Sequence, residues 1–138
     1  MGIRPSSLAN FSQSAERQQK LLIAFEFLNR SEQRLVNLQT LKISFTEKQT
    51  SIRLQIARIN DDLLPESIER YVGARGTTNA EQLRELRRQT LNKEKNDLTN
   101  LLYDIQNNLN ETNQAIRQTE EFLYNLRQRL FRAIKVLD

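Results

Sequence analysis

Few residues of this chain have side chains that could take part in covalent chemistry. The sequence contains no histidine and no cysteine, so the commonest general base and the thiolate nucleophile are missing, and no Cys/His metal motif can be written. Gly73 and Gly76 are not followed by the Lys-Ser or Lys-Thr pair of a phosphate-binding loop. The acid pairs Asp61-Asp62 and Glu120-Glu121 are sequence neighbours, so on a helix the carboxylates of each pair point to different faces. We therefore expect no enzyme activity, no metal and no cofactor.

Arginine is the charged residue type that does cluster. Polyanions are bound by groups of Lys and Arg side chains, and such a group surrounds the stretch that contains Pro65, Gly73 and Gly76. Its members are Arg70, Arg75, Arg84, Arg87 and Arg88. The last three are spaced to share one helix face, but Glu81 and Glu85 lie among them and the net charge of the chain is only +4. The group therefore has two interpretations, a polyanion contact or a solvated face with ion pairs.

The elements that position these residues follow from where glycine and proline occur. The segments from Ser6 to Leu64 and from Thr77 to Asp138 contain neither residue, and uninterrupted segments of this length are typical of coiled coils. We predict an all-α chain in which residues 1–138 form a single elongated domain, with arm one over 6–64, a connection over 65–79 and arm two over 80–138. A short helix is predicted over Pro65 to Val72, and Thr78 with Glu81 predicts a capping box for arm two.

Arm two carries an apolar stripe with heptad spacing. At sevenfold steps this stripe contains Leu102, Leu109, Ile116, Leu123, Leu130 and Leu137. A stripe this narrow needs a partner helix beside it, and arm one shows apolar residues at similar spacing with slips in phase. We therefore predict a long antiparallel helical hairpin, a coiled coil, whose register places Phe45 opposite Leu98 and Leu41 opposite Leu102.

Near its start, the arm-two stripe meets charged residues. If the heptad is extended back from Leu98, the seam positions are Lys95, Arg88 and Arg84. Burying charges is costly unless each is paired. We predict instead a stutter, which turns the arginines outward and places on the seam Leu83, Leu86 and Thr90.

Two threonines occupy later positions of the same stripe. Thr112 and Thr119 stand where leucine would pack better. Because polar seam residues fix pairing while lowering stability, we expect this part of the seam to be weak and to mark the register.

A second set of apolar residues on arm one lies off its stripe. Its members are Ile23, Phe27, Val36, Ile43 and Leu54. They have two interpretations, a wide core face within the hairpin or a self-association surface. Burial along one seam is expected to do little more than offset the entropy of ordering two long helices. We therefore expect a homo-oligomer, with a dimer of hairpins in a multi-helix bundle favoured.

These features favour interaction over chemistry as the function. The longest apolar run, Leu21 to Phe25, is far shorter than the roughly 20 residues that span a bilayer, so we expect no transmembrane segment and a cytoplasmic protein. The first hypothesis is a non-enzymatic coiled-coil interaction or scaffold module that self-associates and binds a protein partner. The second is binding of a polyanion, either nucleic acid or an acidic membrane surface, through the basic tip of the hairpin.

Overall fold

The computed structural model describes the backbone of residues 5–137 and the side chains of residues 11–136. Over these residues the chain forms three helices and no strand: α1 is Pro5–Asp62, α2 is Pro65–Gly73 and α3 is Ala80–Leu137. The two long helices pack against each other as a helical hairpin, which confirms the predicted all-α hairpin. Residues 1–4 and 138 of the predicted domain, and the side chain of Leu137 in the predicted stripe, lie outside the described residues.

The breaks between the helices occur where the sequence disfavours helical backbone. Leu64 has an extended backbone, with φ −59° and ψ 143°, because the proline that follows clashes with a helical residue before it. Pro65 then begins α2, a position where its missing N–H leaves no donor unpaired. Gly76 has a φ of +56°, a left-handed conformation that glycine adopts without steric cost. The short helix predicted after Pro65 is therefore present.

The start of α3 differs from the predicted capping box. The hydroxyl that contacts the backbone belongs to Thr77, and it accepts a hydrogen bond of 3.1 Å from the N–H of Asn79. Asn79 precedes the first helical residue, and its carbonyl oxygen accepts the N–H of Leu83 at 3.1 Å. The turn before α3 is thus held by a threonine one residue earlier than predicted.

The helices contribute to two compact units. We name Leu41–Thr112 the central unit, and residues 5–40 with 113–137 the terminal unit. In the central unit, α2 belongs to the core, since Ile68 is only 2% exposed and Val72, one turn later, is also buried. The other fully buried apolar side chains of this unit are Ile52, Ile59, Leu91 and Ile105.

The terminal unit has a narrower core. On α3 the buried residues are Ile116, Thr119, Leu123 and Leu130. On α1 the half-buried residues are Leu21, Ala24, Leu28, Ser31, Glu32, Leu35 and Leu38. Apart from the flanking Glu32, these α1 positions alternate three and four residues apart, which is the spacing of a heptad seam.

The slips in phase predicted for arm one are wrong. Within the central unit the buried and half-buried positions of α1 include Phe45, Gln49, Ile52, Ile56 and Ile59, which also alternate four and three residues apart. Ser31 and Gln49 occupy seam positions, whereas Leu41 is exposed. Because apolar residues alone define the stripe in a sequence, two polar seam positions and one exposed leucine produced a false change of phase.

The predicted register is also wrong, by about three helical turns. In the central unit Leu98 lines a shallow groove together with Gln55 and Ile59 of α1, not with Phe45. The reason is the position of α2, whose Glu69 and Tyr71 contact the first turns of α3. The short helix takes the place beside α3 that the predicted register gave to the end of α1, so pairing with α1 starts later along α3.

Candidate functional site

The arginine cluster of the central unit is built around a carboxylate of α2. Glu69 accepts two hydrogen bonds from Arg84, at 2.7 Å from Nε and 3.2 Å from Nη2. Glu81 accepts a third, from Nη1 at 3.0 Å. The hydrogen bonds that Arg84 donates to Glu69 and, to a smaller extent, to Glu81 raise the pKa of Arg84 above its ordinary value. Two hydrogen bonds between one guanidinium and one carboxylate fix their relative orientation and also pair their charges. This contact therefore joins α2 to the first turns of α3.

A tyrosine of α2 holds two further arginines of the cluster. The guanidinium carbon of Arg75 lies 3.4 Å from the centroid of the Tyr71 ring, and that of Arg87 lies 4.1 Å from it. Both guanidinium groups therefore lie against the same aromatic ring. Cation–π contacts of this type add to the attachment of α2 to α3.

The remaining two predicted polyanion contacts have weaker partners. Arg70 donates to the hydroxyl of Ser67 at 3.3 Å, and Arg88 lies 4.0 Å from the carboxylate of Glu85. The structure therefore brings the five predicted arginines to one region and gives each a contact within the chain.

The predicted stutter near the start of α3 is wrong. Leu91 is buried and Arg84 and Arg87 are half-buried, whereas Leu86 and Thr90 are exposed. Of the residues expected on the stuttered seam, Leu83 alone is half-buried. The seam instead runs through Arg84, Arg87 and Leu91, whereas Arg88, which the strict heptad would also place on it, is exposed. The cost of burying the charge of Arg84 and Arg87 is offset because Glu69 and the Tyr71 ring of α2 supply the partners.

All five residues predicted as a self-association surface are exposed. Their side chains range from 47% exposed for Ile23 to 60% exposed for Ile43, with Phe27, Val36 and Leu54 between. Exposure of this size does not fit a core face within the hairpin. The terminal unit contains Ile23, Phe27 and Val36, and the central unit contains Ile43 and Leu54.

The terminal unit exposes many more large apolar side chains than it buries. Among its described side chains the exposed ones are Phe11, Leu22, Ile23, Phe25, Phe27, Val36, Phe122, Tyr124, Phe131, Ile134 and Val136. Among the same described side chains the buried large apolar ones are three, Ile116, Leu123 and Leu130. Exposed apolar side chains of this kind mark an interaction site where they form a contiguous patch.

A groove in the terminal unit was missed in the sequence. It measures about 730 Å³, and its apolar lining comes from Leu21, Ala24, Leu126, Leu130, Ala133 and Val136. Four cations complete the lining, Arg17, Lys20, Arg129 and Arg132. The signal that could have revealed the groove is the pair of alanines, because small residues at seam positions leave the space between two helices unfilled.

Within the described part of the chain, no group of three or more potential metal-ligating side chains comes together. Over the same residues, none of the helices has a segment apolar and long enough to cross a membrane. Comparison of the chain with known protein families, with curated proteins and with solved structures finds no match.

Proposed function

We propose that this chain is a non-enzymatic coiled-coil module that associates with itself and binds a protein partner by helix-on-helix packing. The observation that carries the proposal is the excess of exposed over buried large apolar side chains in the terminal unit. Single exposed apolar residues are normal on protein surfaces, but many on one unit mark a contact surface.

The buried spacing of the helices supports the mode of packing. Buried and half-buried positions alternate three and four residues apart along α1 from Leu21 to Leu38 and from Phe45 to Ile59. Helices with this spacing bury knobs in the holes of a neighbouring helix, and additional helices join by the same geometry. In a dimer of hairpins the off-seam residues Ile23 and Phe27, one turn apart on α1, would contribute to that second layer of packing.

The energetics point the same way. Full burial of one Val, Ile or Phe side chain contributes about 1.5–3 kcal/mol, and the exposed large apolar residues described in the terminal unit range from 41% to 77% exposed. Covering even three or four of them in a second hairpin would therefore stabilise the assembly by several kcal/mol, before the cost of association. The polar seam residues Thr112 and Thr119 would reduce stability but restrict the register of pairing.

The second hypothesis, polyanion binding through the arginine cluster, has less support. Arg84 is held by two carboxylates, and Arg75 and Arg87 lie against one aromatic ring. To meet a phosphate, these side chains would have to leave contacts that attach α2 to α3. The arrangement therefore favours a structural role for the cluster.

The experiment is affinity capture with the chain as bait, from native lysate, with and without nuclease. A parallel bait carries Ile23→Gln, Phe27→Gln and Val36→Gln, and a control bait carries Leu86→Gln and Leu101→Gln, which are similarly exposed on α3. We expect a defined set of proteins that survives nuclease and is kept with the control, whereas the first variant should lose further copies of the chain itself from that set. Loss of every captured protein after nuclease, with tight binding of the wild-type chain to DNA or anionic vesicles, would contradict the proposal.

A further inference from the structure

The groove of the terminal unit has a charge pattern that specifies its occupant. Its floor is apolar, formed by half-buried Leu21, Ala24 and Leu126 and by buried Leu130. Its four exposed cations come in two pairs, one on each helix, with the members of a pair three residues apart: Arg17 with Lys20, and Arg129 with Arg132. Residues three apart on a helix lie on the same face, so each wall of the groove carries one pair.

Within the described residues, none of the four cations has a carboxylate partner. Among the described side chains that line the groove, none is acidic. The ion pairs nearest in sequence involve Arg30 with Glu26 and Arg127 with Glu32, and they leave the four lining cations without a carboxylate within 4.0 Å in the described residues. This arrangement contrasts with the arginine cluster of α2, where the charges are already matched.

We propose that this groove binds an amphipathic helix of a protein partner, with an apolar face and with acidic residues on both flanks of that face. The proposal rests on the proposed function and names the chemistry of the partner. Apolar anchors at helical spacing would fill the floor, as in other helix-in-groove complexes, and flanking carboxylates would meet the two pairs of cations.

The dimensions fit a helix. The lining spans residues 17–24 of α1 and 126–136 of α3, which is about 10–15 Å along a helix axis, or two to three turns. The exposed rim leaves the groove open on one side. A helix needs only one face covered and keeps its polar face in water, whereas an acyl chain would remain half exposed in such a groove.

A second copy of the same groove does not fit as the occupant. A two-fold contact of this surface with itself would bring the cations of one chain against those of the other, and like charges across an interface oppose binding. Self-association therefore uses other apolar residues, such as Ile23 and Phe27, and the groove remains open to a different chain.

The test uses the full chain and a fluorescent, end-capped model peptide of about three heptads, with Leu at the a and d positions and Glu at e and g. A matched peptide carries Lys in place of each Glu. Anisotropy titrations compare the wild type with Arg129→Glu/Arg132→Glu and with the control Arg34→Glu/Arg117→Glu. The control changes the net charge equally at exposed residues of the terminal unit that do not line the groove.

We expect the acidic peptide to bind the wild type, to bind the groove variant at least about tenfold more weakly and to bind the control within about twofold of the wild type. Binding should weaken as salt rises, and the lysine peptide should bind poorly. Equal loss in both variants, equal binding of both peptides, or no binding of the acidic peptide would overturn the inference. So would displacement of the bound peptide by phosphatidylserine vesicles but not by phosphatidylcholine vesicles, because it would assign the groove to a membrane.

Failure of this inference is distinguishable from failure of the proposed function. The mass of each variant is measured by light scattering in the same buffers. A self-associated groove variant that no longer binds the peptide supports both proposals, whereas a self-associated wild type that never binds it removes the inference alone.

Discussion

The two buried threonines of α3 provide a sensitive test of how the seam is packed. Thr112 is 6% exposed and Thr119 is 7% exposed. Their hydroxyls donate hydrogen bonds to the carbonyl oxygens of Asn108, at 2.7 Å, and of Ala115, at 2.8 Å, within the same helix. We predict that replacing both threonines with valine, which has nearly the same shape, stabilises the protein.

The magnitude follows from three contributions. Each substitution buries one more methyl group, about 0.8 kcal/mol, and removes a hydroxyl whose burial costs about 1–3 kcal/mol. It loses one hydrogen bond, worth about 0.5–1.5 kcal/mol. A net gain of about 1 kcal/mol per site, or about 2 kcal/mol for both, corresponds to a rise in Tm of about 7 °C, given an unfolding entropy of about 2.1 cal/mol/K per residue.

The matched control is Thr99→Val. Thr99 is exposed and donates the same kind of hydrogen bond, to the carbonyl oxygen of Lys95 at 2.7 Å. Because Thr99 is exposed, its substitution should change the free energy of unfolding by less than about 0.5 kcal/mol. Thermal unfolding followed by circular dichroism measures all three proteins. A lower Tm for Thr112→Val/Thr119→Val, or an equal rise for Thr99→Val, would refute the assignment of these residues to the seam.

Further predictions concern α2 and its connection. Ile68→Ala should destabilise the protein by about 2–5 kcal/mol in denaturant titration, because the side chain is 2% exposed in the core of the central unit. Gly76→Ala should destabilise it by about 1–2 kcal/mol through the left-handed φ of +56°, whereas Gly73→Ala, with open space around the added Cβ, should not lower stability. Arg84→Met should speed amide hydrogen exchange across α2, whereas Arg30→Met, which removes a 2.7 Å ion pair within one helix, should leave exchange in α2 unchanged. The pKa of Arg84 is raised by Glu69 and Glu81, so its contribution is present below the ordinary pKa of a guanidinium and is lost only as pH rises through the raised value. The difference between wild type and Arg84→Met should therefore not decline between about pH 6 and 10.

The sequence predicts the helices well because local chemistry determines where they end. Pro65 excludes helical backbone at Leu64, and Gly76 supplies the left-handed residue of the loop before α3. The short helix after Pro65 was predictable for the same reason. Only the hydroxyl that holds the turn before α3 was misassigned by one residue.

Packing between helices was less predictable because it depends on contacts between distant residues. The register and the orientation of Arg84 and Arg87 both depend on α2, which lies against α3 and supplies Glu69 and Tyr71. Charge patterns along one helix do not reveal such partners. From the sequence, a charged residue on the seam seemed too costly. In the fold, the half-buried Arg84 is paired with Glu69 and Glu81.

The candidate surfaces show the same division. The exposed set that includes Ile23 and Val36 could be predicted because off-stripe apolar residues are visible in one helix. The cation-rimmed groove could not, since Arg17 and Arg132 lie on different helices and far apart in sequence. The two residues line the same groove only because of the register in which α1 and α3 pair.

Sedimentation equilibrium of the full chain at micromolar concentration measures whether the hairpins self-associate. We expect a mass that is a multiple of 16.3 kDa, with a dimer of hairpins as the expected species, and a shift toward the monomer for Ile23→Gln/Phe27→Gln/Val36→Gln. The control Leu86→Gln/Leu101→Gln should keep the wild-type mass. A stable, folded wild-type monomer of 16.3 kDa across the micromolar range would contradict self-association.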